Sequence, residues 1–267
     1  MDTRRDSPRV ESQADPLLDA RDLFLSFGRV MALSGVSIQV FPGEILAIIG
    51  PNGAGKTSLL NSLNGFYRPE RGTIIFNGMD ITRMAPHKRI QAGIGRTFQG
   101  IQLFLGMNVL DNIMTGRHIH MKTNFLQGAL RWPWTLREEV EHRGVAEEVI
   151  DFLEMEAYRD AIVGELGYGL RKRVDLGRAL ALEPGILIMD EPMAGMNVEE
   201  KEDMARFILD IQEHRKIPII LVEHDMEVVM DISSRAAVLE WGRLIAEGDT
   251  LEIRRNPQVI KAYIGEE

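Results

Sequence analysis

Cysteine is absent from this sequence, which excludes disulfides and thiolate metal sites and makes a reducing compartment the natural reading. Long apolar runs are absent as well. A membrane helix needs about 18 consecutive apolar residues, whereas the strongest runs here, Ile45–Ile49 and Ile219–Val222, have the length of single strands. Any membrane role is therefore expected to be peripheral, through partners. Residues 1–16 lack both an apolar stretch and a periodic pattern; they read as a disordered tail and not as a signal peptide. Basic excess is missing too. Lys and Arg number 31 against 40 Asp and Glu, a net charge of −9, which argues against a nucleic-acid partner. An acidic chain can still hold phosphates, because a few backbone donors and one lysine suffice locally.

What is present is enough apolar material, 45% of residues, for one large α/β domain with a smaller lobe inserted. Strands are predicted at Leu18–Phe27, Ala32–Phe41 and Glu44–Ile49, and a further strand at Thr73–Phe76 before the Asn77-Gly78 turn. Lys56–Leu63 reads as a helix. From about Gly106 to Leu166 the pattern turns mainly helical, and Pro133 is expected to break two helices. Continuous apolar runs at Ile186–Met189 and Ile219–Val222 then have the character of strands buried on both faces of a parallel sheet. A helix over Val198–His214 separates them. A hairpin around Trp241-Gly242 and a single closing helix over residues 250–264 complete the reading.

Gly50–Thr57 reads GPNGAGKT, the full pattern G-x-x-x-x-G-K-[ST], between a buried strand and a helix. Glycines at 50, 53 and 55 allow the loop of Gly50, Pro51, Asn52, Gly53, Ala54 and Gly55 to aim its amide N–H groups, which Pro51 alone lacks, inward at a polyphosphate. The helix start adds its positive dipole end. Lys56 is expected to reach the β- and γ-phosphates of ATP, Thr57 to coordinate Mg²⁺, and Ser58 to add an α-phosphate contact. Downstream, GILIMDEP places Asp190 and Glu191 at the end of a buried strand. That end faces the ligand crevice of a parallel sheet. Asp190 there can hold Mg²⁺, directly or through water, and Glu191 can polarise the water that attacks the γ-phosphate.

With these motifs in place, residues 17–267 resemble the ATP-binding cassettes of ABC transporters. The resemblance implies an α/β fold: a P-loop NTPase (RecA-like) core over about 17–99 and 175–267, with an antiparallel β subdomain and an inserted α-helical subdomain over about 100–174. It implies that Gln99, in TFQGIQLF, touches Mg²⁺ and the attacking water and senses a membrane partner. It implies that His224, in LVEHDM, contacts the γ-phosphate and holds Glu191, and that Met193–Asn197 crosses a dimer interface. Phe27 resembles the aromatic residue that stacks on adenine. LGYGL at 166–170 is similar to the signature L-S-G-G-Q, which caps the ATP of the opposite subunit, so Gly167, Tyr168 and Gly169 are expected at nucleotide. Gly167 stands where the family usually has serine and Leu170 where it has glutamine. Either the capping is backbone-driven or this half-site is weaker.

Within the family, the segment from about His118 to Arg143, the LGYGLRKR signature and the C-terminal Ala262-Tyr263-Ile264-Gly265-Glu266 resemble the cassette of branched-chain amino acid importers. Related cassettes serve urea and short amides. A lipopolysaccharide-type exporter cassette, or a weakly hydrolysing regulatory cassette, is the alternative. The resemblance implies an ATPase with a second cassette as partner, identical or paralogous. It also implies transmembrane permease subunits, indirectly a periplasmic solute-binding protein, no nucleic acid, and a peripheral position on the cytoplasmic face of the membrane.

Overall fold

Residues 15–97, 100–121 and 133–264 are described by a computed structural model. Their strands form two sheets. β1 (Leu18–Phe27), β2 (Val30–Val40), β4 (Arg71–Phe76) and β5 (Met79–Asp80) make an antiparallel sheet in the order β2-β1-β4-β5. The second sheet runs β10-β9-β3-β8-β7-β6. Its members are β3 (Ile45–Ile49), β6 (Ile94–Arg96), β7 (Ile186–Asp190), β8 (Ile219–Val222), β9 (Arg235–Glu240) and β10 (Arg243–Asp249). All neighbours in it pair parallel except β9 and β10, which are antiparallel. β3, β7 and β8 are buried at every residue, as their unbroken apolar runs require of strands covered on both faces.

The alternation of side chains divides the core. Leu46, Ile48, Ile186, Ile188, Ile220 and Val222 point towards the antiparallel sheet and helix α1 (Lys56–Asn64), whose Leu59, Leu60 and Leu63 join the same cluster. Leu187, Met189, Ile219 and Leu221 point the other way. They pack with helices α3 (Val109–Gly116), α4 (Pro133–Phe152), α5 (Tyr168–Leu180) and α6 (Val198–Arg215) in one continuous apolar cluster. The helical segment is thus welded to the sheet by shared core. A third cluster joins Ala47, Ile49 and Val238 to Val229 of α7 (Met226–Ile232), Ile253 of α8 (Thr250–Arg255) and Val259 of α9 (Pro257–Ile264). One further short helix, α2 (Pro86–Gln91), follows β5.

The structure differs from the sequence reading in several places. The single closing helix is two, α8 and α9. Asn256 is extended before Pro257, as the residue preceding proline prefers, and its side chain accepts from the Gln258 amide to start α9. Pro133 does not differ: it opens α4, a position where its missing N–H costs nothing, as a proline starting the second of two helices would; residues 122–132 before it lie outside the described residues. The division placed between 174 and 175 falls inside α5, which is one unbroken helix. Between 106 and 166 only α3 and α4 are regular helices among the described residues, with short 3-10 turns at Arg117–Ile119, Glu156–Tyr158 and Val163–Glu165. β6 carries only three residues and no apolar run.

Candidate nucleotide-binding and catalytic site

β3 delivers the chain into a loop that only glycine can make. Gly50 has φ +144°, and a Cβ there would lie 2.0 Å from the Leu239 carbonyl oxygen of β9. Gly55 has φ +103°, and its Cβ would lie 2.6 Å from the Ala32 carbonyl oxygen of β2. The Gly242 amide donates to the Ala54 carbonyl at 2.9 Å, so the β9–β10 turn also clamps the loop. α1 starts at Lys56 with no side-chain cap, which leaves its first amide groups to an anion. Lys56 is buried and folds back over the loop, donating to the carbonyls of Gly50 at 2.6 Å and Pro51 at 2.9 Å. Asn52, Gly53 and Thr57 are exposed, and Pro51 and Ser58 half-buried.

A cleft of ≈ 790 Å³ lies beside the loop, and Thr57, Asn61, Arg96, Gln102, Arg178 and Asp190 are in its wall. Asp190 is buried at the end of β7. Its Oδ2 accepts from Arg96 Nη2 at 2.9 Å, and its Oδ1 has no partner among the described residues. Burial pushes the Asp190 carboxyl up, against the downward pull of Arg96. A buried carboxylate oxygen without a partner, in one cleft with the Thr57 hydroxyl, is the hard-oxygen donor set that Mg²⁺ takes when phosphates supply other ligands. The residues present therefore fit the ion.

Glu191 follows at φ +50°, a left-handed backbone that non-glycine residues seldom adopt and that clusters at functional sites. It is held there on both sides. Its amide donates to the Val222 carbonyl at 2.9 Å, and its carbonyl accepts from Lys172 Nζ at 3.2 Å. The side chain reaches His224, with 2.5 Å between Glu191 Oε1 and His224 Nε2. Beneath them the buried Glu223 accepts from the Met193 amide at 2.8 Å and from the His224 amide at 3.3 Å. That carboxylate ties the 193–197 segment to the turn carrying His224. Burial pushes the Glu223 carboxyl up, and the two amide donors only partly oppose this.

Gly167, Tyr168 and Gly169 lie at the start of α5. They meet a different set of neighbours from the phosphate loop. Gly167 is the N-cap, with extended backbone and open space at its Cβ position. A Cβ on Gly169 would overlap the Glu200 carboxylate, and one on Gly195 would lie 3.2 Å from the Tyr168 ring. The signature is thereby packed against the 193–197 segment and the first turn of α6, where Asn197 and Glu200 form a capping box. Phe27 ends β1 half-exposed and stands edge-on to Tyr67, ring centres 5.0 Å apart. Gln99 and Phe98 lie outside the described residues. Sequence reasoning missed Arg96, Asn61, Lys172 and Glu223. The one available signal was a glutamate directly after the apolar run Ile219–Val222.

A glycine loop between a buried strand and an uncapped helix, facing a carboxylate pair at the end of a second strand, defines a P-loop nucleoside triphosphatase. Residues 33–194 match the family described as ABC transporter, and residues 243–267 the one described as branched-chain amino acid ATP-binding cassette transporter. The chain belongs to this family: it is an ATP-binding cassette of the ABC transporters, an ATPase subunit, of the branched-chain amino acid type. It is 37% identical over 251 residues to the high-affinity branched-chain amino acid transport ATP-binding protein BraF of Pseudomonas aeruginosa, covering 94% of this chain and 98% of that one. It is 36% identical over 253 residues to the corresponding protein LivG of Escherichia coli, covering 95% and 99%. Among solved structures it resembles the ADP form of an ATP-binding cassette of an ABC transporter, with TM-score 0.82, 33% identity and coverage of 94% and 100%. A nucleotide-free cassette from an ABC transporter matches with TM-score 0.81 and 32% identity, covering 93% and 98%. Among the described residues no helix is long and apolar enough to cross a membrane.

Proposed function

We propose that this cassette hydrolyses ATP at the Gly50–Thr57 loop to drive uptake of branched-chain amino acids through separate transmembrane permease subunits. The observation that carries the chemistry is the 2.5 Å contact between Glu191 and His224 at the strand end that also presents Asp190. Loop amides and Lys56 hold the polyphosphate. Thr57 and Asp190 would hold Mg²⁺, which when bound spreads the charge of the β- and γ-phosphate oxygens. Glu191 draws a proton from water as the water oxygen bonds to the γ-phosphorus and the bond to the ADP oxygen breaks. His224 holds the Glu191 carboxylate in line. Phe27 and Tyr67 offer ring surface for the base, and Gln99 would monitor the water.

The signature of one cassette would close the site of a second, with Gly167 contributing backbone alone. Its open Cβ position is compatible with either glycine or serine. The relatives support the importer reading and not the exporter alternative; a periplasmic solute-binding protein would be the upstream partner. The intact Glu191–His224 pair favours turnover over a purely regulatory role. The test is leucine uptake into proteoliposomes carrying the permease subunits and this cassette. ATP-dependent uptake that vanishes with Lys56→Ala is expected; uptake of other solutes only, or uptake indifferent to Lys56→Ala, would defeat the proposal.

A further inference from the structure

We propose that Arg96 is a positioning residue that sets the distance between the two protein ligands of the cation, and that Asn61 is its anchor. The inference rests on the reading of Asp190 and Thr57 as those ligands. Arg96 ends β6, and its side chain is buried, as is that of Asp190. A guanidinium that neutralises a buried carboxylate frequently takes both oxygens in parallel, the strongest geometry open to it. Here the fork is divided. Nη2 donates to Asp190 Oδ2 at 2.9 Å, while Nη1 donates to Asn61 Oδ1 at 2.6 Å. Asp190 Oδ1 is left without a partner among the described residues.

Asn61 lies one helical turn after Thr57 on α1, so the two share a face. Arg96 thus spans from the helix that carries Thr57 to the strand that carries Asp190. All four residues line the same cleft. The span fixes which carboxylate oxygen faces the cleft and how far it stands from the Thr57 hydroxyl. A buried ion pair is weak evidence of stabilisation in itself, whereas partners that orient ligating carboxylates govern metal affinity strongly.

The test is the affinity of the full chain for a fluorescent ribose-labelled ATP, measured in Mg²⁺ and again in EDTA. The ratio of the two is the gain due to the cation. Arg96→Met and Asn61→Ala should each lower this ratio, the arginine variant by roughly 10-fold to 100-fold, with affinity in EDTA preserved. Asn61→Ala leaves no buried charge unpaired and keeps the test valid if Arg96→Met does not fold. An unchanged ratio in Asn61→Ala, or affinities that fall in parallel with and without Mg²⁺, would overturn the proposal. Asp190→Ala is the separate control: a ratio unaffected by it would show that Asp190 is not a cation ligand, whatever Arg96 does.

Discussion

At Glu223 a carboxylate is buried among apolar strands for the sake of two backbone amides. Burial raises its proton affinity, and the Met193 and His224 amides oppose the rise only in part. A carboxyl raised in the folded state contributes stability that is fully present below its unfolded value, about 4.3, and lost as pH climbs through the folded value. Glu223→Gln removes that loss while its amide oxygen can still accept from Met193. Thermal unfolding of the variant and the wild type at about pH 5 and about pH 8 should show the difference moving in the variant's favour at the higher pH. A difference constant between the two, or moving the other way, would contradict this account of Glu223. Asp190 is raised for the same reason, but Arg96 stands directly against it, so the two buried carboxylates are balanced differently. Neither effect is visible from spacing. What spacing did show was the pair Asp190-Glu191 and the phosphate loop, because each needs a particular residue at a particular step from a strand end. Arg96 and Asn61 are 35 positions apart and meet only once β6 is laid beside β7.

Among the elements, α1 is the one on which the site depends, and both its ends are built. Its start is open for an anion. Its end is closed by Gly65 at φ +86° and by the buried Arg89 of α2. Arg89 donates to the Ser62 and Leu63 carbonyls, both at 2.7 Å, and to those of Thr82 at 2.9 Å and Met84 at 3.1 Å. A cation on the last carbonyls complements the helix dipole. Burial lowers the Arg89 guanidinium to about 10, still far above neutrality, so the group stays charged. Arg89→Met orphans these carbonyls and should cost about 3 kcal/mol in denaturant unfolding; a loss under about 0.5 kcal/mol, typical of surface changes, would refute the role. The helices and buried strands were legible where periodicity or an unbroken apolar run was long enough. β6 was not, with three residues of which one is glycine and one arginine. The break at Asn256-Pro257 was legible in principle, since proline pushes its predecessor out of the helical region, yet the apolar pattern continues across it.

On the scale of the whole molecule, one apolar cluster runs from Leu187 and Leu221 in the sheet to Val109, Val149 and Val174 in the helices. The helix that the signature starts, α5, is therefore packed into the core of its own chain, and Lys172 joins that helix to the Glu191 carbonyl at 3.2 Å. The shape of the fold, parallel strands with a glycine loop after β3, followed from sequence because each step obeys a local rule. The antiparallel sheet came from family resemblance, and the proposed closing of the signature on a second subunit rests on that resemblance alone. Everything functional rests on Glu191 drawing a proton from water at a nucleotide held by the loop. The direct test is steady-state ATP hydrolysis by the purified wild type beside Glu191→Gln, with ATP affinity measured for both. The account predicts retained affinity and a rate lowered on the order of 10²- to 10⁴-fold in the variant; a wild type that turns over ATP no faster than the variant would contradict it.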